Sequence, residues 1–314
     1  MLNQDGADHT RLRALVHKAF TPSLVERLRG RIEAACDELL TPLAREGRMD
    51  LMSGYALPLP LTIIAELLGI PPTDRNRFYR LARSSLSATT IPGVLRALPD
   101  QKLIIRRLHK LIADRRRDPQ DDLITALVQA REAGDKLSEP ELIGMINLLL
   151  LAGYETTVNL IGSGALALIQ NPEQRELLMQ NPGIADRAIE ELLRYTSPLD
   201  TASQRFAAEN LKVDSVTIPQ GHVVIALLGS ANHDESQFRE PETLDLKRDP
   251  NRHVAFGQGV HFCIGAPLAR LEGQLALETL FRRFPSLRLA RPAETLRWRK
   301  SLIIRGLEEL PVMV

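Results

Sequence analysis

One apolar stretch, residues 142–169, constrains the fold of this chain more than any other part of its sequence. It is long enough to cross a membrane as a helix, since about 20 apolar residues span a bilayer. Polar side chains interrupt it at Asn147, Tyr154, Glu155, Thr156, Thr157 and Asn159. Such groups are costly in hydrocarbon. The stretch therefore predicts a buried helix with a functional polar notch, in a soluble protein that has no membrane partner.

The first two-thirds of the chain has the periodicity of helices. Apolar residues recur at spacings of three and four, as on one face of an α-helix. Two helix starts are marked by capping residues: Pro22 follows Thr21, and Glu141 stands three residues after Ser138. The helix that begins after Ser138 is expected to end near residue 169.

The pattern of apolar residues changes in the last third of the chain. Short apolar runs at 213–218 and 223–228 flank the turn residues 219–221, which predicts a β-hairpin. Residues 233–262 lack periodicity and are expected to be irregular, and a final helix is predicted over residues 266–284. The predicted fold class is therefore mainly α with a minor β region.

Composition bounds the organisation of the protein and its partners. The 314 residues are 44% hydrophobic and no linker divides them, so we expect a single domain over residues 1–314. Lys and Arg number 40 against 39 Asp and Glu, which does not favour nucleic acid as a partner. Two cysteines, and an N-terminus without the apolar core of a secretory signal, indicate a cytoplasmic protein. We expect this protein to be a monomer.

A glycine-rich window around one cysteine carries the strongest chemical signal: Phe256-Gly257-Gln258-Gly259-Val260-His261-Phe262-Cys263-Ile264-Gly265. Three glycines predict a tight loop that another group can approach closely. The helix predicted after it directs its positive end at the sulfur, which should lower the pKa of the Cys263 thiol and favour the metal-binding thiolate. A buried structural cysteine is nevertheless the commoner outcome for a lone Cys. Cys263 alone leaves both interpretations open.

Two further groups of polar residues also have simple structural interpretations. In the window Ala152-Gly153-Tyr154-Glu155-Thr156-Thr157, the Thr156 hydroxyl could bond back to a carbonyl one turn earlier, while Glu155 finds a partner. Glu191 and Arg194 are three residues apart and could form a weak, exposed ion pair on a helix. Neither group indicates a function by itself.

Together, these windows resemble the cytochrome P450 family. Residues 256–265 match its haem-binding loop, F-G-x-G-x-H-x-C-x-G, and residues 152–157 match its oxygen-binding groove, A/G-G-x-D/E-T-T. Residues 191–194 match its E-x-x-R pair. Residues 5–13 are similar to its D-P-P-x-H-T-R-L-R segment, with Gly6-Ala7 in place of the two prolines. The resemblance covers nearly the whole chain, with the windows in the family's order.

The resemblance implies which residues bind the cofactor, haem b (iron protoporphyrin IX). Cys263 is the implied metal ligand, and Phe256 packs near its sulfur. Gly257 and Gly265 belong to the loop whose amides hydrogen-bond to the sulfur, and His261 approaches a haem propionate. The other implied propionate ligands are His9, Arg13 and Arg205.

The resemblance also implies the residues that handle oxygen and those that support the loop. The implied groove residues beside the cofactor are Ala152 and Gly153. Thr156 would hydrogen-bond the oxygen molecule and Glu155 would relay protons, so these two are the implied catalytic residues. Glu191 and Arg194 would form a buried structural pair, in which Arg194 reaches the irregular residues 238–252.

The implied reaction is that of a monooxygenase, which inserts one oxygen atom from O₂ into an apolar small-molecule substrate, in bacterial secondary metabolism. The chain has no flavin or dinucleotide motif, so electrons would come from a ferredoxin-type donor with an NAD(P)H reductase. We expect this donor to dock where Arg11, Lys18 and Arg270 supply positive charge. A lid over the substrate is expected at residues 87–95.

The chain begins where members of the family have already run through several dozen residues. The resemblance therefore implies the family fold without its N-terminal segment, with exposed sheet edges and an open substrate pocket. Two alternatives stay open: a haem-binding relative that is catalytically impaired, and a helical interaction protein that keeps remnants of the motifs.

Overall fold

A computed structural model of the protein describes residues 1–75, 91–132 and 137–314. The α-helices, in chain order, are α1 (Gly6–Ala19), α2 (Pro22–Arg27), α3 (Arg29–Glu46), α4 (Pro58–Leu67), α5 (Ile91–Arg117), α6 (Leu123–Glu132), α7 (Glu139–Gln170), α8 (Pro172–Gln180), α9 (Ala185–Thr196), α10 (Leu228–Ala231) and α11 (Ala266–Arg283). The strands are β1 (Arg48–Asp50), β2 (Arg205–Phe206), β3 (Leu211–Val213), β4 (Val216–Ile218), β5 (Val223–Val224), β6 (Arg288–Leu289) and β7 (Pro311–Met313). The prediction of a mainly α fold with a minor β region is confirmed.

The lid predicted at residues 87–95 lies only partly within the described residues. Residues 87–90 fall outside them, whereas residues 91–95 form the first turn of α5. Pro92 is the second residue of this helix, where a missing backbone N–H costs nothing because first-turn amides have no partner inside the helix. The described part of the predicted lid is therefore helical.

α7 lies at the centre of the helical core. It begins with the predicted capping box: the Ser138 hydroxyl accepts a hydrogen bond from the Glu141 amide at 3.4 Å, and the Glu141 carboxylate accepts one from the Ser138 amide at 2.8 Å. By length and composition α7 could cross a membrane. In the fold it packs against α4, α9 and α11, and most of its apolar side chains are buried there. This is the environment of a core helix.

Two glycines allow α7 and α11 to pack closely. A Cβ atom on Gly273 would lie 2.7 Å from Leu160 Cδ2, and one on Gly164 would lie 3.1 Å from Leu277 Cδ1. Larger residues at either position would push the helices apart. This contact fixes the start of α11 relative to the polar notch of α7.

Ionisable side chains are buried where α11 packs on the first third of the chain. Tyr55 donates a hydrogen bond to the Ala276 carbonyl at 2.8 Å, and burial raises the pKa of Cys36 to about 12. Glu272 is only 1% exposed, and neither of its carboxyl oxygens has a hydrogen-bond partner among the described residues. Burial raises the pKa of Glu272 well above its usual value, so this side chain is an uncharged acid.

A three-stranded antiparallel sheet joins distant parts of the chain. Its strand order is β1-β7-β6, with Met49 opposite Val312. Asp50 adds a contact, since its carboxylate accepts a hydrogen bond from the Leu310 amide at 2.8 Å. Within the described ranges β1 and β6 each pair on one side only. The sheet therefore has two unpaired edges.

The predicted hairpin across residues 219–221 is wrong. β3 pairs with β4 through the turn at Asp214 and Ser215, while β5 pairs with β2. Asp214 has a φ of +49°, a left-handed conformation that Asp adopts more readily than most residues. This turn interrupts the first apolar run one residue after it begins, and residues 219–221 instead connect two separate two-stranded sheets.

Candidate functional site

Glycines shape the loop that carries Cys263. Gly257 and Gly259 have φ values of +70° and +71°, in the left-handed region that favours glycine. The loop closes where the Cys263 amide donates a hydrogen bond to the Phe256 carbonyl at 2.9 Å. α11 begins at Ala266, so the half-buried sulfur lies at the N-terminus of an 18-residue helix.

Burial opposes ionisation of the Cys263 thiol. It raises the thiol pKa above its ordinary value, although the amides of Gly265 and Ala266 and the guanidinium groups of Arg13 and Arg270 act in the opposite direction. The prediction of a lowered pKa is therefore wrong for the free side chain, because desolvation outweighs the helix dipole. A metal ion deprotonates a coordinating thiol outright, and the same donors then stabilise the thiolate.

Phe256 packs beside the loop and under Arg270. The guanidinium carbon of Arg270 lies 4.6 Å from the centroid of the ring. Arg270 also donates a hydrogen bond to Glu190 at 2.8 Å, and His253 Nε2 lies 3.1 Å from the same carboxylate. Although burial acts to raise it, these two partners lower the pKa of Glu190 to about 2. The aromatic wall of the loop is therefore anchored to α9 through a charged group.

Three of the predicted propionate ligands act on one carboxylate, that of Asp5. His261 Nε2 lies 2.6 Å from Asp5 Oδ1, and this hydrogen bond lowers the pKa of Asp5. Arg205 and His9 also act electrostatically to lower it. The rings of His9 and His261 are 4.2 Å apart between centroids. His261 therefore binds a carboxylate of the protein itself, with His9 stacked beside it.

Arg13 connects this cluster to the cysteine loop. Its guanidinium donates a hydrogen bond to the Phe262 carbonyl, one residue before Cys263, at 2.6 Å. It is also close enough to His9 to contribute to the lowering of that side chain's pKa, for which desolvation is the largest cause. One thiol for a metal and a group of guanidinium and imidazole donors for carboxylates thus lie side by side. These residues fit an iron porphyrin, whose two propionates need such donors.

The polar notch of α7 carries a second group of predicted residues. Glu155 Oε1 lies 3.5 Å from Arg299 Nη1, and burial raises the pKa of Glu155 to about 7, although Arg299 acts to lower it. The Thr156 hydroxyl donates a long hydrogen bond, 3.5 Å, to the carbonyl of Ala152 one turn earlier. Both simple structural interpretations of this window are therefore observed. Ala152 is exposed.

Gly153 faces a neighbouring helix. A Cβ atom on Gly153 would lie 3.0 Å from Ile64 Cδ1 of α4. The close packing of α4 on α7 is by itself a sufficient reason for glycine here. The role of Gly153 in an oxygen groove stays a prediction.

Glu191 and Arg194 form a fully buried ion pair, not an exposed one. Arg194 Nε donates a hydrogen bond to Glu191 Oε2 at 2.8 Å, and Arg248 Nε lies 3.1 Å from the same oxygen. Arg194 also donates to the Pro241 carbonyl at 2.8 Å, inside the irregular segment that the resemblance implied it would reach. α9 is thereby tied to the chain that leads into the cysteine loop.

The contacts of three charged residues of the site cannot be inferred from the local sequence: those of Asp5, Arg248 and Arg299. Asp5 and its partner His261 are 256 residues apart, and Arg299 is 144 residues from Glu155. Spacing along one helix cannot show such contacts. Asp5 had the better chance of detection, because it opens the segment that matches the family.

Comparison with known proteins identifies the family to which this protein belongs. The family model for Cytochrome P450 matches residues 100–298. The chain is 48% identical, over 314 residues, to the polyketide biosynthesis cytochrome P450 PksS of Bacillus subtilis, with 99% of this chain and 77% of that relative covered. The chain belongs to the cytochrome P450 family. It is therefore a monooxygenase-type oxidoreductase of a family that uses haem.

Solved structures share the fold over almost the whole chain. The structure of PksS superimposes with a TM-score of 0.93 at 47% identity, covering 99% of this chain and 80% of that one. P450BioI, solved in complex with an acyl carrier protein ligated to hexadec-9Z-enoic acid, has a TM-score of 0.92 at 39% identity, with the same coverage. The cytochrome P450 monooxygenase PikC of Streptomyces venezuelae is 42% identical, with 99% of this chain and 75% of PikC covered. Bacterial members of the family receive electrons from redox partners.

Proposed function

We propose that residues 1–314 act as a single-domain haem b monooxygenase, which inserts one oxygen atom from O₂ into an apolar organic substrate. One observation carries this proposal: the Cys263 sulfur lies near the guanidinium of Arg13, beside a group of nitrogen donors in which His261 binds a carboxylate. A structural cysteine needs no such neighbours, whereas an iron porphyrin needs both. Two free cysteines agree with a reducing cytoplasm, in which we expect the enzyme to work as a monomer.

Cys263 is the proposed metal ligand. The amides of Gly265 and Ala266 are directed at its sulfur and would stabilise the thiolate charge. Phe256 and Gly257 shape the loop around it. The proposed propionate ligands are His9, Arg13, Arg205 and His261, and a propionate would replace the carboxylate of Asp5 within this cluster.

When bound, the haem supplies the reductive activation of dioxygen, and the chain supplies protons. Glu155 is the proposed proton donor, since a carboxyl with a pKa of about 7 is half protonated at neutral pH. The long bond from Thr156 to the Ala152 carbonyl leaves the hydroxyl easy to redirect to another acceptor. Ala152 and Gly153 are the proposed backbone positions beside the cofactor.

The proposed electron donor is a ferredoxin-type protein with an NAD(P)H reductase. Two of the three basic residues expected to form its docking surface have carboxylate partners within the chain. Arg11 is paired with Glu141 at 2.6 Å and Arg270 is held by Glu190, while the side chain of Lys18 lies outside the described part of the structure. Charge reversal at these three positions that leaves electron transfer unchanged would exclude them as the docking surface.

The proposed substrate is a hydrophobic small molecule of secondary metabolism, as the name of the relative PksS suggests. Exposed apolar side chains support this: Leu302 is 88%, Leu227 59% and Ile303 53% exposed. All three lie around Thr201, whose hydroxyl donates to the Leu302 carbonyl at 3.0 Å. A second candidate is an acyl chain attached to a carrier protein, the form in which P450BioI was solved.

The carbon monoxide spectrum of the reduced, haem-loaded protein tests the proposal. A thiolate ligand gives a red-shifted Soret band, which Cys263→Ala should lose and the control Cys36→Ala should keep. Histidine-like coordination in the wild-type protein would refute the assignment of Cys263. Lack of stoichiometric haem binding would favour the interaction protein, and a thiolate spectrum without turnover would favour the impaired relative.

The proton role is tested by Thr156→Ala. The variant should keep the thiolate spectrum but give less product and more hydrogen peroxide per electron consumed. Equal product yield in the variant and the wild type would remove Thr156 from the proposed mechanism.

A further inference from the structure

Three polar residues meet beside the cysteine loop, where α9 contacts α11. They are Glu190 of α9, His253 of the irregular segment and Arg270 of α11. Arg270 Nε and Nη2 donate hydrogen bonds to the two oxygens of the Glu190 carboxylate, at 2.5 and 2.8 Å. A bidentate pair fixes the orientation of the guanidinium plane as well as its position. Arg270 is therefore held against α9 in one defined geometry.

The same guanidinium lies over the aromatic ring of the loop. Its carbon is 4.6 Å from the centroid of Phe256, a distance at which a cation is attracted to the face of a ring. The backbone of Phe256 is bonded to the proposed ligand residue, because its carbonyl accepts the 2.9 Å hydrogen bond from the Cys263 amide. Arg270 thus contacts the side chain of the residue that holds the Cys263 backbone.

His253 holds the carboxylate from the side of the loop. The Ala255 amide donates a hydrogen bond to His253 Nδ1 at 3.2 Å, so the ring proton is on Nε2, which donates to Glu190 Oε2 at 3.1 Å. The His253 side chain is only 4% exposed, and its ring centroid lies 6.2 Å from that of Phe256. Glu190 therefore has one donor from the loop and one from α11, and both donors lie beside the same ring.

The charge of Arg270 also acts on the sulfur. Arg270, like Arg13, acts to lower the pKa of the Cys263 thiol, which means that its charge stabilises the thiolate. The potential of a haem iron depends on the charge and hydrogen bonding around its axial ligand. A nearby cation favours the reduced iron, since reduction adds a negative charge, and a nearby carboxylate disfavours it.

We propose that Arg270 is a positioning residue that sets the reduction potential of the haem iron, by fixing the Phe256 ring beside the cysteine loop and by placing a positive charge, partly offset by Glu190, near the Cys263 thiolate. This inference rests on the proposed function of Cys263 as the metal ligand. It gives Arg270 a role within the protein, in place of the docking role expected from the sequence.

Redox titration of the haem-loaded protein, followed by its absorption spectrum, tests the role of Arg270. Arg270→Gln removes the cation and leaves the carboxylate of Glu190 in place. The equilibrium should shift roughly tenfold toward the ferric state, as expected for one charge in partly buried surroundings, which lowers the potential by about 59 mV for one electron. Arg270→Lys keeps the charge but not the planar fork, and should recover at least half of the shift.

Glu190→Gln tests the charge independently, should Arg270→Gln fail to fold. The glutamine carbonyl can still accept a hydrogen bond from Arg270, but the negative charge is gone, so the potential should rise. Looser packing of Phe256 would instead move the potential in the same direction in both variants. Shifts of the same sign in Arg270→Gln and Glu190→Gln, or an unchanged potential in Arg270→Gln, overturn the inference.

Arg283→Gln is the matched control. Arg283 lies in the last turn of α11, with its guanidinium carbon 5.8 Å from the centroid of Phe284. The substitution removes the same kind of contact from the same helix, about 20 Å from Arg270 at 1.5 Å per residue. It should leave the potential unchanged, and a shift as large as that of Arg270→Gln would contradict a local role for Arg270.

The carbon monoxide spectrum separates this inference from the proposed function. Absence of the thiolate band in the wild type refutes both. A normal thiolate band together with an unchanged potential in Arg270→Gln refutes the role of Arg270 alone.

Discussion

Replacing the buried acid Glu272 by Met should stabilise the protein. Glu272 is 1% exposed and has no hydrogen-bond partner among the described residues. Leaving a buried polar group unsatisfied costs about 1–3 kcal/mol. Met has a similar volume and adapts its shape to irregular space in a core. Glu272→Met should therefore raise the free energy of unfolding by about 1–3 kcal/mol at mildly acidic pH.

The stabilisation should grow as the pH rises. Burial raises the pKa of Glu272 well above 4.5, so the folded protein keeps this proton while the unfolded chain releases it. Raising the pH above the unfolded value therefore favours the unfolded wild-type chain, and the variant escapes this loss. The difference in stability should widen by about 1.4 kcal/mol per pH unit until the folded pKa is reached.

Urea denaturation followed by circular dichroism measures this difference at several pH values. All other ionisable groups are common to both proteins, so their contributions cancel in the difference. Glu278→Met is the matched control, because Glu278 lies on the same helix but is half-buried and accepts a hydrogen bond from Gln274. A Glu272→Met difference that does not change between mildly acidic and mildly alkaline pH would refute the assignment of an uncharged acid in the core.

Four other substitutions have defined outcomes. Arg194→Met leaves a buried carboxylate short of one partner and should lower the free energy of unfolding by about 3–5 kcal/mol, as measured by urea denaturation. Gly306→Ala places a Cβ atom against the Asn159 carboxamide and should lower the free energy of unfolding by about 1–3 kcal/mol. Gly144→Ala, with open space around it on α7, should raise the free energy of unfolding by about 1 kcal/mol. Equal thermal midpoints for the two variants would contradict this. Ser138→Ala removes the capping box of α7 and should cost about 1 kcal/mol, and an unchanged thermal midpoint would show that the cap contributes nothing.

Local features of the fold were predictable from the sequence because short-range physics determines them. The capping box at Ser138 and the start of α11 at Ala266 depend on residues within one helical turn. The prediction of a hairpin across residues 219–221 was wrong because the sequence there contains more than one possible turn. Turn residues stand both at Asp214-Ser215 and at residues 219–221, and the one that closes a hairpin is decided by which strands pair.

The site was predictable where the resemblance named it, and not where contacts join distant parts of the chain. Glu155 was expected to carry protons, but its partner Arg299 comes from the last part of the chain. The predicted direction of the Cys263 pKa shift was wrong because a sequence indicates the helix dipole but not how deeply the thiol is buried. Desolvation is a property of the assembled fold.

The central strand of the three-stranded sheet follows both of its partner strands in the chain, so the sheet can be completed only after they have been synthesised. β7 lies at residues 311–313, yet it pairs with β1 at residues 48–50, and the buried Leu310 and Val312 close the core beside it. A ribosome releases the cysteine loop well before it releases β7. The nascent chain therefore exposes the cysteine loop before the strand that completes the sheet has been released.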